Sequence, residues 1–285
     1  MRYKIRHSTW YEYSRPVFIE PHLIRLCPRT DPAQKLLSYQ VLVEPEPAGL
    51  GNGLDAENNP FHLIWLNDLT DRLQITAAFT VETTKTNPFD SFLTSGDALP
   101  IALSACERAV LGPYLDYFAL TGSAELGLLE AFCDKAMSRS GGKVLAFLNQ
   151  LNSDLFTTID KTVRLEPGLQ TVGETLRSSS GACRDTAVVF LAACRKMGIP
   201  ARYVSGCQEG DPEQPEAELH AWAEVYLPGF GWKGYDPTHG LAVADRHIAY
   251  AASALPENTA PLSGSFRGTG ASSVLSHRIE MQLDD

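Results

Sequence analysis

The hydrophobic pattern of the chain changes period twice. In the first stretch apolar and polar positions alternate. Tyr3, Ile5, His7, Thr9, Tyr11 and Tyr13 interleave with Lys4, Arg6, Ser8, Trp10 and Glu12, a period of two that predicts one long strand. Leu37, Tyr39, Val41 and Val43 give a second strand face, stopped by Pro45 and Pro47, and Phe61 to Leu66 a third apolar run after the turn-rich 49–60 segment. Leu73, Ile75, Ala77, Phe79 and Val81 alternate cleanly against Arg72, Gln74, Thr76, Thr80 and Glu82. Short alternating runs separated by Gly, Pro and Asn predict a β-sandwich over residues 1–92.

Beyond residue 92 the period becomes helical. Ala102 to Leu111 reads as a short helix ended by Gly112-Pro113. Ser123 is the expected N-cap of a helix striped by Leu126, Leu129, Phe132, Cys133 and Ala136; Val144, Leu148, Leu151 and Leu155 stripe the next. These stripes are core positions. Thr171-Val172-Gly173-Glu174 has the spacing of a capping box. It opens a helix that leads into the Ser178–Gly181 turn.

The next segment carries chemistry. Ala187, Phe190, Leu191, Cys194 and Met197 recur at helical spacing, Arg195 and Lys196 lie in the last turn, and Gly198 and Pro200 stop the run. Cys183 stands at its start, where free backbone N–H groups and the helix dipole favour thiolate over thiol; Asp185 in the first turn suits the same dipole. Cys194, mid-helix, is read as a buried core thiol. Downstream, His220, Trp222, Glu224 and Tyr226 alternate with Ala221, Ala223, Val225 and Leu227, and a second strand, Trp232 to Tyr235, follows the turn Pro228-Gly229-Phe230-Gly231. The two runs predict a hairpin, with Asp236 ending its second strand where a carboxylate can lie beside the His220 imidazole. A thiol at a helix start, a base on a strand and a carboxylate on the neighbouring strand is the arrangement of an activated nucleophile.

These residues carry a resemblance. Gly181-Ala182-Cys183-Arg184-Asp185-Thr186-Ala187, Gly198-Ile199-Pro200-Ala201-Arg202-Tyr203-Val204-Ser205-Gly206, His220-Ala221-Trp222-Ala223-Glu224-Val225-Tyr226 and Gly234-Tyr235-Asp236-Pro237-Thr238 resemble, in order, the motifs of the transglutaminase-like (papain-like) cysteine protease superfamily. Tyr11 to Val17 and Pro21 to Leu26 resemble the N-terminal domain of one bacterial group within it. The resemblance implies an α+β fold in which the Cys183 helix packs on an antiparallel sheet bearing His220 and Asp236. It also implies Cys183 as nucleophile, His220 as base and Asp236 as its orienter. The expected organisation is an N-terminal β domain over 1–92, with a structural or substrate-orienting role, and a catalytic domain over 93–285. The last alternating run, Leu275 to Leu283, is expected to join the catalytic sheet. Asp245-Arg246-His247-Ile248 still resembles the family, whereas residues 251–259 lack its Gly-Arg-Asp-Tyr element, a departure that bears on substrate preference.

The implied activity is cysteine-dependent amide hydrolysis of a peptide or protein through a thioester. The alternatives are a transglutaminase, which passes the acyl group to an amine, and a non-catalytic binding module on the same scaffold. No cofactor and no metal is expected, because Cys183, Cys207 and His220 lack the paired spacing of zinc ligands. No G-x-S-x-G elbow occurs, which removes a serine hydrolase. Composition narrows the partners. A net charge of −10 and a pI near 5.2 argue against nucleic acid and anionic membrane surfaces. Six scattered cysteines without a C-x-x-C pair suit reduced thiols, and the polar, aromatic start differs from an export signal, so a cytoplasmic location is expected. The acidic segment Gln208 to Glu218 is expected to be a mobile loop near His220, and His239, before Gly240, a solvated turn residue.

Overall fold

The computed structural model describes all residues except 91, 95, 123–124, 165, 211–216 and 285. The N-terminal strands are β1 (Arg2–Ile19), β2 (His22–Ile24), β3 (Gln34–Glu44), β4 (Gly49–Leu54), β5 (Pro60–Trp65) and β6 (Thr70–Thr83). The alternation in β1 is realised: Tyr3, Ile5, His7, Thr9 and Tyr13 are buried on one face. β1, β6 and β3 form one antiparallel sheet and β2, β5 and β4 another. Ile5, Leu73 and Ile75 of the first share a core with Ile24 and Ile64 of the second.

Helices α1 (Ala105–Val110), α2 (Leu126–Ser140) and α3 (Val144–Thr158) follow. Ser104 caps α1 in a full capping box with Glu107. The expected cap Ser123 of α2 lies outside the described residues; the helix starts after Glu125. A two-residue strand β7 (Asp160–Lys161) precedes α4 (Val172–Ser178), whose Thr171–Glu174 capping box forms as the sequence predicts. Then come β8 (Ser180–Gly181), α5 (Cys183–Lys196), β9 (Ala201–Gln208), β10 (Glu218–Leu227), β11 (Gly231–Asp236), β12 (Leu241–Ala242) and β13 (His247–Ser253).

The second region is a five-stranded antiparallel sheet, ordered β12-β11-β10-β9-β13, with α5 against it. Ala221, Ala223 and Val225 on one face of β10 share a core with the α5 residues 187–194 and with Phe147, Leu148 and Leu151 of α3. Small side chains on β10 let the helix approach, so the start of α5 is held in a fixed place relative to the strand ends. Gly206 serves the same closeness within the sheet. A Cβ there would lie 2.0 Å from the carbonyl oxygen of Ile248, so only glycine fits between β10 and β13.

β13 is the edge of this sheet, and two side-chain amides from the N-terminal region complete its hydrogen bonding. Gln34 Nε2 donates to the Ala249 carbonyl at 2.8 Å, while Gln34 Oε1 accepts from the Ala249 N–H at 2.9 Å. Asn59 makes the same pair with Ala252, at 2.9 and 2.8 Å. Each amide takes the place of a neighbouring strand, which covers an edge that would otherwise be open. Asn59 is fully buried. Replacing it by leucine strands two backbone groups without partners, at roughly 1–3 kcal/mol each. We expect Asn59→Leu to lower the free energy of unfolding by about 2–4 kcal/mol in urea titration. A loss within experimental error would mean that the edge pairing contributes nothing.

One expectation is corrected here. The strands β14 (Leu262–Ser263), β15 (Phe266–Arg267) and β16 (Ser273–Leu283) leave the second sheet. β14 pairs with β2, and β15 and β16 pair with β1. The C-terminal strand therefore joins the N-terminal sheet, in register from Tyr3↔Leu283 to Tyr13↔Ser273, and not the sheet that carries His220 and Asp236. The reason is supply of an edge. β1 is 18 residues long and has β6 on only one side, whereas the β13 edge of the second sheet is occupied by the Gln34 and Asn59 amides. Among the described residues no helix is long and apolar enough to cross a membrane.

Candidate active site

Cys183 is the first residue of α5. The turn before it is anchored by Asp185. That carboxylate is fully buried, accepts from the Ala182 and Gln170 backbone N–H groups at 2.9 and 2.8 Å, and pairs with Arg164 at 2.7 Å. Arg184 donates to the carbonyls of Arg164, Glu166 and Gly168. Arg164, Glu166, Gly168 and Gln170 are thus tied to the helix start from two sides. Asp185, read from sequence as a dipole partner, is the anchor that fixes where Cys183 stands.

The hairpin β10–β11 supplies the other two side chains. Its register pairs Ala223 with Tyr235, so Asp236 lies opposite Trp222 and diagonal to His220, on the same face. His220 Nε2 and Asp236 Oδ2 are 2.8 Å apart, with side chains 4% and 0% exposed. The half-buried Cys183 thiol interacts with the imidazole and with the Ala221 backbone N–H. The three residues singled out in the sequence therefore form one interacting chain.

Electrostatics give that chain a direction. Burial would raise the Cys183 thiol, but the hydrogen bond and charge of His220 and the Ala221 N–H outweigh it and hold the thiol below its usual value. Burial would depress His220; the bonds to Asp236 and Cys183 and their charges win and push it up to about 10. Burial works against the Asp236 carboxylate too, and hydrogen bonds from His220 and His247 hold it well below the carboxylate range. These shifts move the balance towards thiolate, imidazolium and carboxylate.

This state has a pH signature. The folded pair holds one proton, on His220, between the lowered thiol value and about 10. Unfolded, histidine titrates near 6.5 and cysteine near 8.5, so the unfolded pair also holds one proton between those values. Where both hold one proton the pair contributes a pH-independent stability. As pH rises from about 8.5 towards 10, the unfolded pair holds fewer protons than the folded one, and the contribution falls at up to about 1.4 kcal/mol per unit. We expect the stability difference between wild type and a Cys183→Ala/His220→Ala variant, from urea unfolding, to show this alkaline decline. A difference independent of pH between about 8 and 10 would mean no ion pair forms.

Two further histidines adjoin the site. His239 was expected to be solvated; it is half-buried, with its ring centroid 5.3 Å from that of His220. His247 is buried, and its Nε2 lies 3.1 Å from Asp236 Oδ2, the same oxygen that His220 uses. Sequence reasoning did not place it at the site, because residues 243–246 carry the chain across the sheet face between non-adjacent strands. The available signal was a histidine at the start of an otherwise apolar strand run. Among the described residues, His220, Asp236 and His247 form a group whose ligand atoms lie within 4.8 Å. Two ligands of a tetrahedral zinc ion with bonds of about 2.1 Å stand roughly 3.4 Å apart. The observed 2.8 and 3.1 Å are hydrogen-bond spacings instead. The acidic insertion is described only at residues 208–210 and 217–218; the rest lies outside the described residues. Residues 251–259, where the family element is missing, complete β13 and a 3₁₀ turn at Pro256–Thr259.

Comparison with known proteins agrees with this architecture. Residues 3–82 match the bacterial transglutaminase-like N-terminal region, and residues 132–237 match the transglutaminase-like superfamily. An uncharacterised protein of Mycobacterium tuberculosis is 26% identical, covering 98% of this chain and 92% of its own length. One from Mycobacterium leprae is 26% identical over 96% of both chains. A protein-glutamine gamma-glutamyltransferase of Pseudomonas aeruginosa is 36% identical over 70 residues, 22% of this chain and 10% of that one. The crystal structure of a candidate cysteine protease from Cytophaga hutchinsonii superposes with a TM-score of 0.75 at 19% identity, covering 100% of this chain and 91% of that chain, which establishes a shared fold. With both regions matched in order and the fold shared end to end, the chain belongs to the transglutaminase-like superfamily, in the bacterial group that carries this N-terminal region.

Proposed function

We propose that the protein is a cysteine-dependent amide hydrolase acting on peptides or proteins, with Cys183 as nucleophile, His220 as acid and base, and Asp236 as orienter. The observation that carries this reading is the buried His220–Asp236 pair, closed at 2.8 Å, set beside the Cys183 thiol whose pKa the His220 imidazole lowers. Cys183 Sγ attacks the amide carbonyl carbon, and the oxygen's developing charge is met by the Cys183 backbone N–H at the positive end of α5. As the C–N bond breaks, His220 gives its proton to the leaving amine and a thioester remains. Water then attacks the thioester, His220 takes its proton, and the product carboxylate leaves as the thiolate is restored. The same thioester resolved by an amine would make a transglutaminase. The P. aeruginosa relative bears that name over a short match, which supports transamidation as the second reading.

The test is to incubate the protein with a panel of peptide carboxamides and glutamine-containing peptides and examine intact mass after acid quench. We expect an acyl adduct that maps to Cys183 and is missing in Cys183→Ala. Added labelled amine separates the readings: free carboxylate as the main product supports hydrolysis, amine incorporation supports transfer. No adduct across the panel, with Cys183 intact, would remove both.

A further inference from the structure

Asp236 holds two histidines, and the proposed mechanism uses one. Oδ2 takes the Nε2 contacts of both His220 at 2.8 Å and His247 at 3.1 Å, while Oδ1 accepts the Thr238 backbone N–H at 3.0 Å. An ionised carboxylate only accepts, so both Nε2 atoms carry hydrogen. That choice fixes the second imidazole at a cost. His247 Nδ1 is buried with no hydrogen-bond partner, and a stranded buried polar atom costs roughly 1–3 kcal/mol. The ring is wedged edge-on against Trp222, with centroids 5.2 Å apart, and its own side chain is 5% exposed. An apolar side chain would fill the same space without the unpaired nitrogen. The retained feature is the donor to Asp236.

We infer that His247 is a positioning residue that acts through Asp236, sharing the carboxylate with His220 so that the His220 imidazolium is held but not over-stabilised. The inference rests on the proposed roles of His220 and Asp236. Its physical basis is that a hydrogen bond donated to an oxygen withdraws charge from it. With His247 on Oδ2, the lone-pair density facing His220 is reduced. Without it the whole carboxylate charge bears on one imidazolium, which becomes a weaker acid. A weaker acid protonates the leaving amine more slowly. Thr238 continues to anchor Oδ1, so Asp236 keeps its place when the second donor is removed. The titratable groups around His220 are Cys183 from α5, Asp236 from the end of β11, His239 from the turn after it and His247 from β13.

Nitrogen-15 NMR of histidine-labelled full-length protein reads this directly, whether or not a substrate is known. In wild type we expect the Nε2 of His247 to carry hydrogen. In His247→Phe the deprotonation midpoint of His220 should move up by about one unit; in His247→Gln, which returns an N–H donor near the Nε2 position, it should stay near the wild-type value. A wild-type His247 protonated only at Nδ1 overturns the inference. So does an unchanged or lowered His220 midpoint in a folded His247→Phe protein, or a His247→Gln midpoint that matches the phenylalanine variant. Should His247→Phe fail to fold, the wild-type tautomer and the glutamine midpoint still decide. Failure of the acyl-adduct experiment together with the expected midpoints would reject the hydrolase reading alone.

Discussion

Replacing His220 by alanine is expected to slow alkylation of Cys183 by iodoacetamide at pH 6 by about 10–100-fold. An ordinary thiol with a pKa near 8.5 is only about 0.3% thiolate at pH 6. The Cys183 thiol is held below its usual value by the His220 hydrogen bond and charge, against burial, which raises it. Removing the imidazole leaves burial opposed only by the Ala221 N–H. The lowered thiol raises the thiolate fraction at pH 6, while a thiolate of lower pKa is also a weaker nucleophile, which trims the gain. The protein supplies its own controls. Burial pushes Cys27 up to about 11 and Cys133 and Cys207 up to about 12, and Cys194 is raised as well. Cys106 is exposed and reports ordinary surface reactivity. Mass spectrometry at each cysteine should therefore find Cys183 fastest at pH 6 in wild type and no faster than Cys106 in His220→Ala. Equal labelling of Cys183 in the two proteins would mean the imidazole does not activate it.

The residues of that chain were legible because each depends on local pattern. A helix stop at Gly198-Pro200 locates a helix start at Cys183, and alternation over 220–227 with a Gly turn locates the hairpin. Both are short-range signals, and antiparallel register converts them into the His220–Asp236 contact. The capping box at Thr171 is local in the same way. What the sequence left open depends on which strands neighbour each other. Alternation marks 275–283 as a strand but does not name its partner, and the free edge of β1 decided it. His247 meets Asp236 only because residues 243–246 cross the sheet face above Trp222, with Val243 packed on that ring and bonded to the Gly234 carbonyl. His239 differs from its expected exposure for the same kind of reason: the turn after Asp236, closed by Oδ1 on the Thr238 N–H, folds it back beside His220. Asn59 reads as part of the turn-rich 49–60 segment, and no local pattern marks Gln34. Their role appears only when β13 is seen to lack a neighbour.

Asp236→Asn should reduce kcat/KM on an amide substrate by about 10³–10⁴-fold while leaving the protein folded. The substitution preserves shape and removes one property, the ability to accept on both oxygens. In the native site three N–H groups point at the carboxylate: His220 Nε2 and His247 Nε2 on Oδ2, and Thr238 N on Oδ1. An amide has one oxygen. If it faces the imidazoles, its NH₂ meets the Thr238 N–H; if it faces Thr238, the NH₂ meets two imidazole N–H groups. The second orientation is relieved by moving the His220 proton to Nδ1, the nitrogen that faces Cys183, where a donor cannot take the thiol proton. The first keeps the tautomer but loses the negative charge, so burial, which lowers His220, is no longer overcome and the thiolate–imidazolium pair gives way to neutral groups. Both routes end in an unactivated thiol. The two are separable: the tautomer route leaves activity low at every pH, whereas loss of charge alone moves the acid and alkaline limbs of kcat/KM toward each other without abolishing the maximum. A folded Asp236→Asn protein with less than a tenfold loss would mean that His220 is oriented by something other than this carboxylate. The packing of its ring against Trp222, at 6.3 Å between centroids, would then be the contact to alter next.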